Sequence, residues 1–291
     1  MGEVAERQRS LFVLSLGDHF YFHGVRSAED PRFERTFDAP FAAPSLQGEG
    51  FWRIVSGNHD HAGNVTAQME YAARPGSRWR YPALQHAWRE TFGDGDSTTT
   101  IDFVLLDTVL LCGMPRKQPP LDSDVHWRWV ERALSASDAD FLVVGGHYPV
   151  HSPSGHGPTQ CLRRRLKPLL QRADASVYFS GHDHCLFHIE EVRRGPHYHG
   201  VGAGFTTSKS RKHEATVPPL GLRFIYDGAT RPFNVVSGGF AAASVSADGL
   251  TVVHYNARGE ELHQATVRPR ARAAVARPAG EQAAETCRGG R

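Results

Sequence analysis

The sequence predicts a layered α/β protein, and three observations carry that prediction. An apolar, β-prone run followed by Gly and then by polar, ligating side chains occurs four times. Amphipathic helical segments fall between these runs. After Thr206 the texture changes to short β-like runs separated by turn signals. Alternating strands and helices argue for packed layers rather than separate β and α domains.

Taken in order, the four runs are Leu11 to Leu16 before Gly17-Asp18-His19-Phe20-Tyr21, Phe51 to Ser56 before Gly57-Asn58-His59-Asp60-His61, Phe141 to Gly145 before Gly146-His147-Tyr148-Pro149, and Val177 to Ser180 before Gly181-His182-Asp183-His184. The unequal spacing of Gly17, Gly57, Gly146 and Gly181 excludes a solenoid. A continuous apolar run reads as a strand covered on both faces, and Gly directly after it permits a sharp exit. Four such strand ends side by side are expected to gather their loops in one crevice. Trp127, Val130 and Leu134 share a helical face after Asp122 or Ser123, and Leu162, Leu166 and Leu169 do so after Thr159, with Pro168 as an irregularity. Leu222 to Tyr226, Phe233 to Val236, Phe240 to Val245, Thr251 to Tyr255 and Leu262 to Val267 are expected to form a second, antiparallel layer. Ala247-Asp248-Gly249 and Ala257-Arg258-Gly259 supply its hairpin turns. One domain is expected over 1–267, with an Arg/Ala/Pro-rich disordered tail over 268–291.

The chain has 291 residues, of which 40% are apolar and 22% charged, enough for a large core. A net charge of +2 provides no field for nucleic acid or a membrane surface, so neither partner is expected. The longest apolar stretch, Phe103 to Cys112, is interrupted by Asp107 and Thr108 and is too short to span a bilayer. Met1 to Ser10 has no apolar signal core, so the chain as written is expected in the cytosol. Four cysteines without C-x-x-C spacing exclude a zinc ribbon. Seventeen histidines are the one unusual count. His is the commonest metal ligand, so they point to a site.

Singly, a His after a strand is more often a satisfied polar residue than a ligand. Together, Gly-Asp-x-x-Tyr, Gly-Asn-His-Asp, Gly-His-Tyr-Pro and Gly-His-Asp-His supply a carboxylate, a phenol, an amide oxygen and three imidazoles, a donor set suited to two metal ions. With His156-Gly157-Pro158-Thr159, these motifs resemble the calcineurin-like metallophosphoesterases, and within them the purple acid phosphatases of the animal, tartrate-resistant type. The likeness runs from about Leu11 to about Arg268.

The resemblance implies a four-layer β-sandwich flanked by helices and a dinuclear centre that hydrolyses phosphomonoesters, or phosphoproteins, by attack of a metal-bound hydroxide. It implies that Asp18 bridges the metals, that Tyr21 and His184 hold a ferric ion, and that Asn58, His147 and His182 hold a divalent Fe or Zn. A hard phenolate suits the trivalent ion and neutral donors the divalent one. His59 and His156 match positions serving the leaving group or phosphate, and Asp60 is expected to orient His59. An unperturbed imidazole titrates near ~6.5, so an acidic optimum is expected. A monomer, secreted or lysosomal, with Cys112 paired to Cys161 is also implied, and Asn64-Val65-Thr66 is a glycosylation sequon.

Four features depart from the family. Its earlier Asp-bearing motif, which ends a central strand and ligates the ferric ion, has no counterpart before Gly17, so one strand and one ligand are expected to be missing. His19 and Cys185 replace Asn, and Met114 to Asp124 is shorter than the family's protease-sensitive loop. The alternative expectation is a catalytically impaired or silent metal-binding or interaction protein; a calcineurin-like phosphodiesterase is the third reading. Gly200 to Gly204 reads as a tight loop beside the site rather than a nucleotide loop. Arg163, Arg164, Arg165 and Lys167 read as a solvated helix face.

Overall fold

Two layers of strands face one another across an apolar interior, and helices cover both outer faces. The computed structural model describes residues 1–93, 98–114, 123–191, 195–226, 229–230, 235–236 and 238–271. β1 (Val13–Ser15), β2 (Trp52–Ile54) and β3 (Trp79–Arg80) pair in parallel in that order. Opposite them lies a seven-stranded sheet. Its order is β10 (Leu222–Ile225), β8 (Leu186–Glu190), β9 (His197–Val201), β7 (Val177–Ser180), β6 (Phe141–Gly146), β5 (Thr99–Leu106) and β4 (His86–Phe92). A meander of β13 (Gly239–Ser246), β14 (Gly249–Asn256) and β15 (Glu261–Val267) forms a third sheet, and β11 (Ala229–Thr230) pairs with β12 (Val235–Val236).

Leu16 and Val55 beside the short sheet, Leu250 and Val252 from the meander, and Ile101, Phe103, Phe141, Val143, Val177 and Phe179 from the large sheet share one buried cluster. Alternate residues Val104, Leu106, Leu142 and Val144 point to the other face. There α5 (Ser123–Ser135) buries Trp127, Val130 and Leu134, and α6 (Gln160–Arg172) buries Leu162, Leu166 and Leu169. Each fully buried Leu or Val of this kind contributes roughly 1.5–3 kcal/mol. β6 is buried along its whole length, as its uninterrupted run Phe141-Leu142-Val143-Val144 requires. Outside the short sheet, Trp52, Ile54 and Trp79 pack on Phe33, Phe37, Leu46 and Ala67 of α3 (Val65–Ala72). Cys112, which ends α4 (Thr108–Cys112), and Cys161 form a disulfide with Cα atoms 5.7 Å apart.

Three expectations change. The four strands that carry the motifs are not side by side, because β1 and β2 lie in the short sheet while β6 and β7 lie in the large one. The crevice is therefore shared between two facing layers. The run at Leu222 joins the large sheet through antiparallel pairing with β8 and is not part of the second layer. Position 270 is not loose: Arg270 donates to the carbonyls of Ser137, Ala139 and Ala173, just past the ends of α5 and α6, where a cation also meets the negative helix ends. The rest of the expected tail, 272–291 with Cys287, lies outside the described residues, as do 115–122 of the short loop and Asp122.

Among the described residues β1 pairs with β2 alone. The chain ahead of it forms a helix, α1 (Gly2–Gln8), rather than a strand. Val4 packs on Val253 and Tyr255 of β14, while Ala5 enters the cluster behind the short sheet.

Candidate metal centre

The chain turns sharply where it leaves β1 and β7, and the loops after the four motif strands bring their polar tips together. Gly17 has φ 91°, Asp18 φ 58° and His182 φ 59°. A Cβ on Gly17 would stand 2.7 Å from the His147 Nδ1, so the close approach of the two loops needs glycine there. Left-handed backbone at Asp18 and His182 costs of order 1–3 kcal/mol each, which the packed surroundings hold in place.

His147, on the loop after β6, is fully buried and forms the hub. Its Nδ1 lies 2.8 Å from the Leu16 carbonyl, which can only accept, so this nitrogen carries the proton. The Nε2 then faces Asp18 Oδ2 at 3.2 Å, Asn58 Oδ1 at 3.1 Å and His182 Nδ1 at 3.2 Å. The Tyr21 hydroxyl lies 3.3 Å from the same Asp18 Oδ2 and 3.1 Å from His184 Nε2. Asp18 Oδ2 is thus common to two donor groups, one of Asn58, His147 and His182 and one of Tyr21 and His184.

Electrostatics suit a cation at both. Burial opposes the charge of Asp18, but the neighbouring His147 and the His59 amide outweigh it and hold the carboxyl well below the usual range. Burial, followed by repulsion from His147 and His156, drives His182 down and keeps its ring neutral. Burial and then the Asp18 charge raise the Tyr21 phenol, so ionising it calls for a compensating positive charge. Several lone pairs converge here with too few protons to share among them. That is the arrangement a cation completes.

His156 stands at the exposed rim, its ring centroid 4.5 Å from that of His182 and 5.7 Å from that of His184. His59 is also at the rim, its ring 4.5 Å from that of Tyr21, with Nδ1 donating to the Phe22 carbonyl at 2.6 Å. Asp60 does not orient His59. It is the third residue of the short helix α2 (Asn58–His61), so its side chain folds back and inward. There the carboxylate accepts from the amides of Gly57 (2.8 Å) and Asp18 (2.7 Å), from His19 Nδ1 (3.1 Å) and from Gln68 (2.9 Å). Asp60 fixes the Asp18 turn instead.

Residues 2–186, which contain every candidate above, match the calcineurin-like phosphoesterase family. The chain belongs to that family. It is 36% identical over 282 residues to the tartrate-resistant acid phosphatase type 5 of Oryctolagus cuniculus, an alignment covering 94% of this chain and 84% of that protein. Among solved structures, it is similar to GAP50, the anchor in the inner membrane complex of Plasmodium, with TM-score 0.75 and 20% identity over 94% of this chain and 82% of that one. The purple acid phosphatase PPD1 of yellow lupin (Lupinus luteus) matches with TM-score 0.60 and 14% identity, covering 91% of this chain and 48% of that one. The last two report the shared fold.

Residues that motif reading passed over tie the loops of this crevice to one another. His61 Nε2 lies 2.7 Å from Asp107, whose carboxylate also caps α4 through the amides of Val109 and Leu110. Asp183 accepts from Ser152 at 2.6 Å and from the Gly157 amide at 3.0 Å, which ties the His156 loop to the strand end bearing His182 and His184. Both lie inside motifs already singled out, but their partners are distant in sequence. His19, where the family has Asn, bridges Asp60 and Ser15 Oγ, at 2.8 Å from the latter. Cys185 is a buried free thiol pushed up to about 12, chiefly by burial.

Proposed function

We propose that this chain is a metal-dependent acid phosphatase acting on phosphomonoesters, phosphoproteins among them, as a monomer. The observation that carries the reading is the shared position of Asp18 Oδ2 between the two donor groups. In this reading Asp18 with Tyr21 and His184 would hold a ferric ion, and Asp18 with Asn58, His147 and His182 would hold a divalent Fe or Zn. The pair of cations supplies the charge that binds phosphate oxygens and makes a water acidic enough to attack. Hydrolysis forms a phosphorus–oxygen bond to water as the bond to the leaving alcohol breaks, and the alcohol oxygen takes up a proton.

His59 and His156, both at the rim, are the donors of that proton or the clamps on the phosphate. With Nδ1 engaged by the Phe22 carbonyl, His59 has Nε2 left to meet a substrate oxygen. The Cys112–Cys161 disulfide and the exposed sequon Asn64 support export to an oxidising compartment. No helix among the described residues is long and apolar enough to cross a membrane.

Turnover of a chromogenic phosphate ester, with iron and zinc counted per chain, tests this reading. A purple, iron-containing protein whose turnover His147→Ala abolishes is the expected result; an iron-free, colourless but active protein removes Tyr21 from the ligand set. A folded protein without turnover favours a silent interaction protein.

A further inference from the structure

A second group of histidines lies between the large sheet and the meander, away from the strand-end crevice. His188 on β8 stands directly opposite His199 on β9, and His197 lies two residues before His199 on the same face. His254 on β14 and His263 on β15 are likewise cross-strand partners and meet them from the other layer. The His188 Nε2 lies 3.0 Å from the His197 Nδ1, its Nδ1 lies 2.9 Å from the His263 Nε2, and the His199 Nδ1 lies 2.9 Å from the His254 Nε2. One nitrogen from each of His188, His197 and His199 falls within 4.8 Å of the other two. In a tetrahedral zinc site with bonds of 2.0–2.1 Å, ligand atoms are roughly 3.4 Å apart.

The protonation states leave a gap in this group. A neutral imidazole has one N–H and one lone pair. When His199 and His254 share one hydrogen bond, whichever donates, one N–H and one lone pair remain. The atoms concerned, His199 Nε2 and His254 Nδ1, are buried without a partner. Burial, followed by repulsion from neighbouring rings, lowers the pKa values of His188 and His199 and keeps these rings in the neutral form that binds metal. The nearby Arg223 is engaged by Glu190 at 2.8 Å, so its charge is compensated. His197 and His263 are only partly buried and provide a way in.

We propose that His188, His197 and His199, completed by His254 or His263, form a structural site for a zinc-class divalent ion that pins the meander to the large sheet. An all-imidazole set suits Zn²⁺, and a closed set from two layers leaves no position for a substrate, so its role is to hold the layers together. This site is independent of the phosphatase reading.

The test is zinc per chain after dialysis of the full chain against Zn²⁺, for the parent, for His147→Ala/His182→Ala and for His188→Gln/His199→Gln. The layer double variant should hold one zinc fewer than the parent while keeping ester turnover, and the crevice double variant should keep the layer zinc. Cobalt added to the crevice double variant should give the intense visible absorption of a tetrahedral centre, lost when His188→Gln is added. If the layer double variant fails to fold, His197→Gln at the partly exposed rim replaces it and should weaken zinc binding; unchanged binding would overturn the proposal. Equal zinc counts in the folded layer variant and the parent, or no tetrahedral cobalt signal in the crevice variant, would overturn the proposal.

Discussion

The crevice at the strand ends and the histidine layer between the sheets put the same side chain in two different settings. In the crevice, His147 is fixed by the Leu16 carbonyl on one side and faces a carboxylate and an amide oxygen on the other. In the layer, His188 is hydrogen-bonded, among the described residues, to two other imidazoles, His197 and His263. A carboxylate beside a buried ring favours its charge, whereas other rings oppose it. His147 is accordingly raised, because Asp18 outweighs its burial, while His188 is pushed down to about 2 and His254 to about 3, chiefly by burial. Burial pushes all three rings toward the neutral form, and only at His147 does a carboxylate neighbour reverse it.

The largest effect expected is at the crevice: His147→Ala should reduce kcat/KM by more than about 100-fold, since even a residue that merely supports a ligand accounts for roughly 10–100-fold. Steady-state turnover of an aryl phosphate checks it, and retention of activity would break the contrast at its strongest point. Asp60→Ala should lower stability by at least about 3 kcal/mol in chemical denaturation, because it strands several buried donors at the Asp18 turn. Asp60→Asn should be milder in stability but still slow turnover.

Reduction of Cys112–Cys161, 49 residues apart, should cost about 4 kcal/mol on the chain-entropy estimate. It lies on the helical face of the large sheet, so the melting point should fall while zinc binding in the layer persists. A reduced protein that lost both would show that the regions are coupled.

Acid should weaken the layer. In the folded chain His188 and His254 bind protons far below the ~6.5 of an unfolded histidine, so the unfolded state takes them up first. The stabilisation is complete above pH ~6.5 and declines as pH falls from there toward the folded values, by about 2 kcal/mol per ring at pH 5. Melting at pH 7 and pH 5, with and without His254→Phe, reads this directly: the variant should lose less between the two. An equal loss would remove the layer as the source. The smallest effect belongs to Arg164→Ala on the exposed face of α6, within about 0.5 kcal/mol.

The motif strands and the polar tips of the crevice were legible because strand, glycine exit and ligating residue are neighbours in the chain. So were α5 and α6, from the spacing of Trp127, Val130 and Leu134 and of Leu162, Leu166 and Leu169. The role of Asp60 was misread because its nearness in sequence to His59 says nothing of the direction in which α2 turns its side chain. The division of β1, β2, β6 and β7 between two sheets was hidden for a related reason: an apolar run declares that it is covered, not by which layer.

Sequence alone, then, determined the alternating layers, the six converging side chains and an excess of histidine, since each is a property of short stretches or of composition. Tertiary structure alone decided that β8 and β9 would set His188 against His199, that the meander would bring His254 and His263 onto them, and that Arg270 would close the ends of two helices. Such contacts join segments far apart in the chain. They form only when burial of apolar faces fixes which layer meets which, and no local pattern encodes that choice.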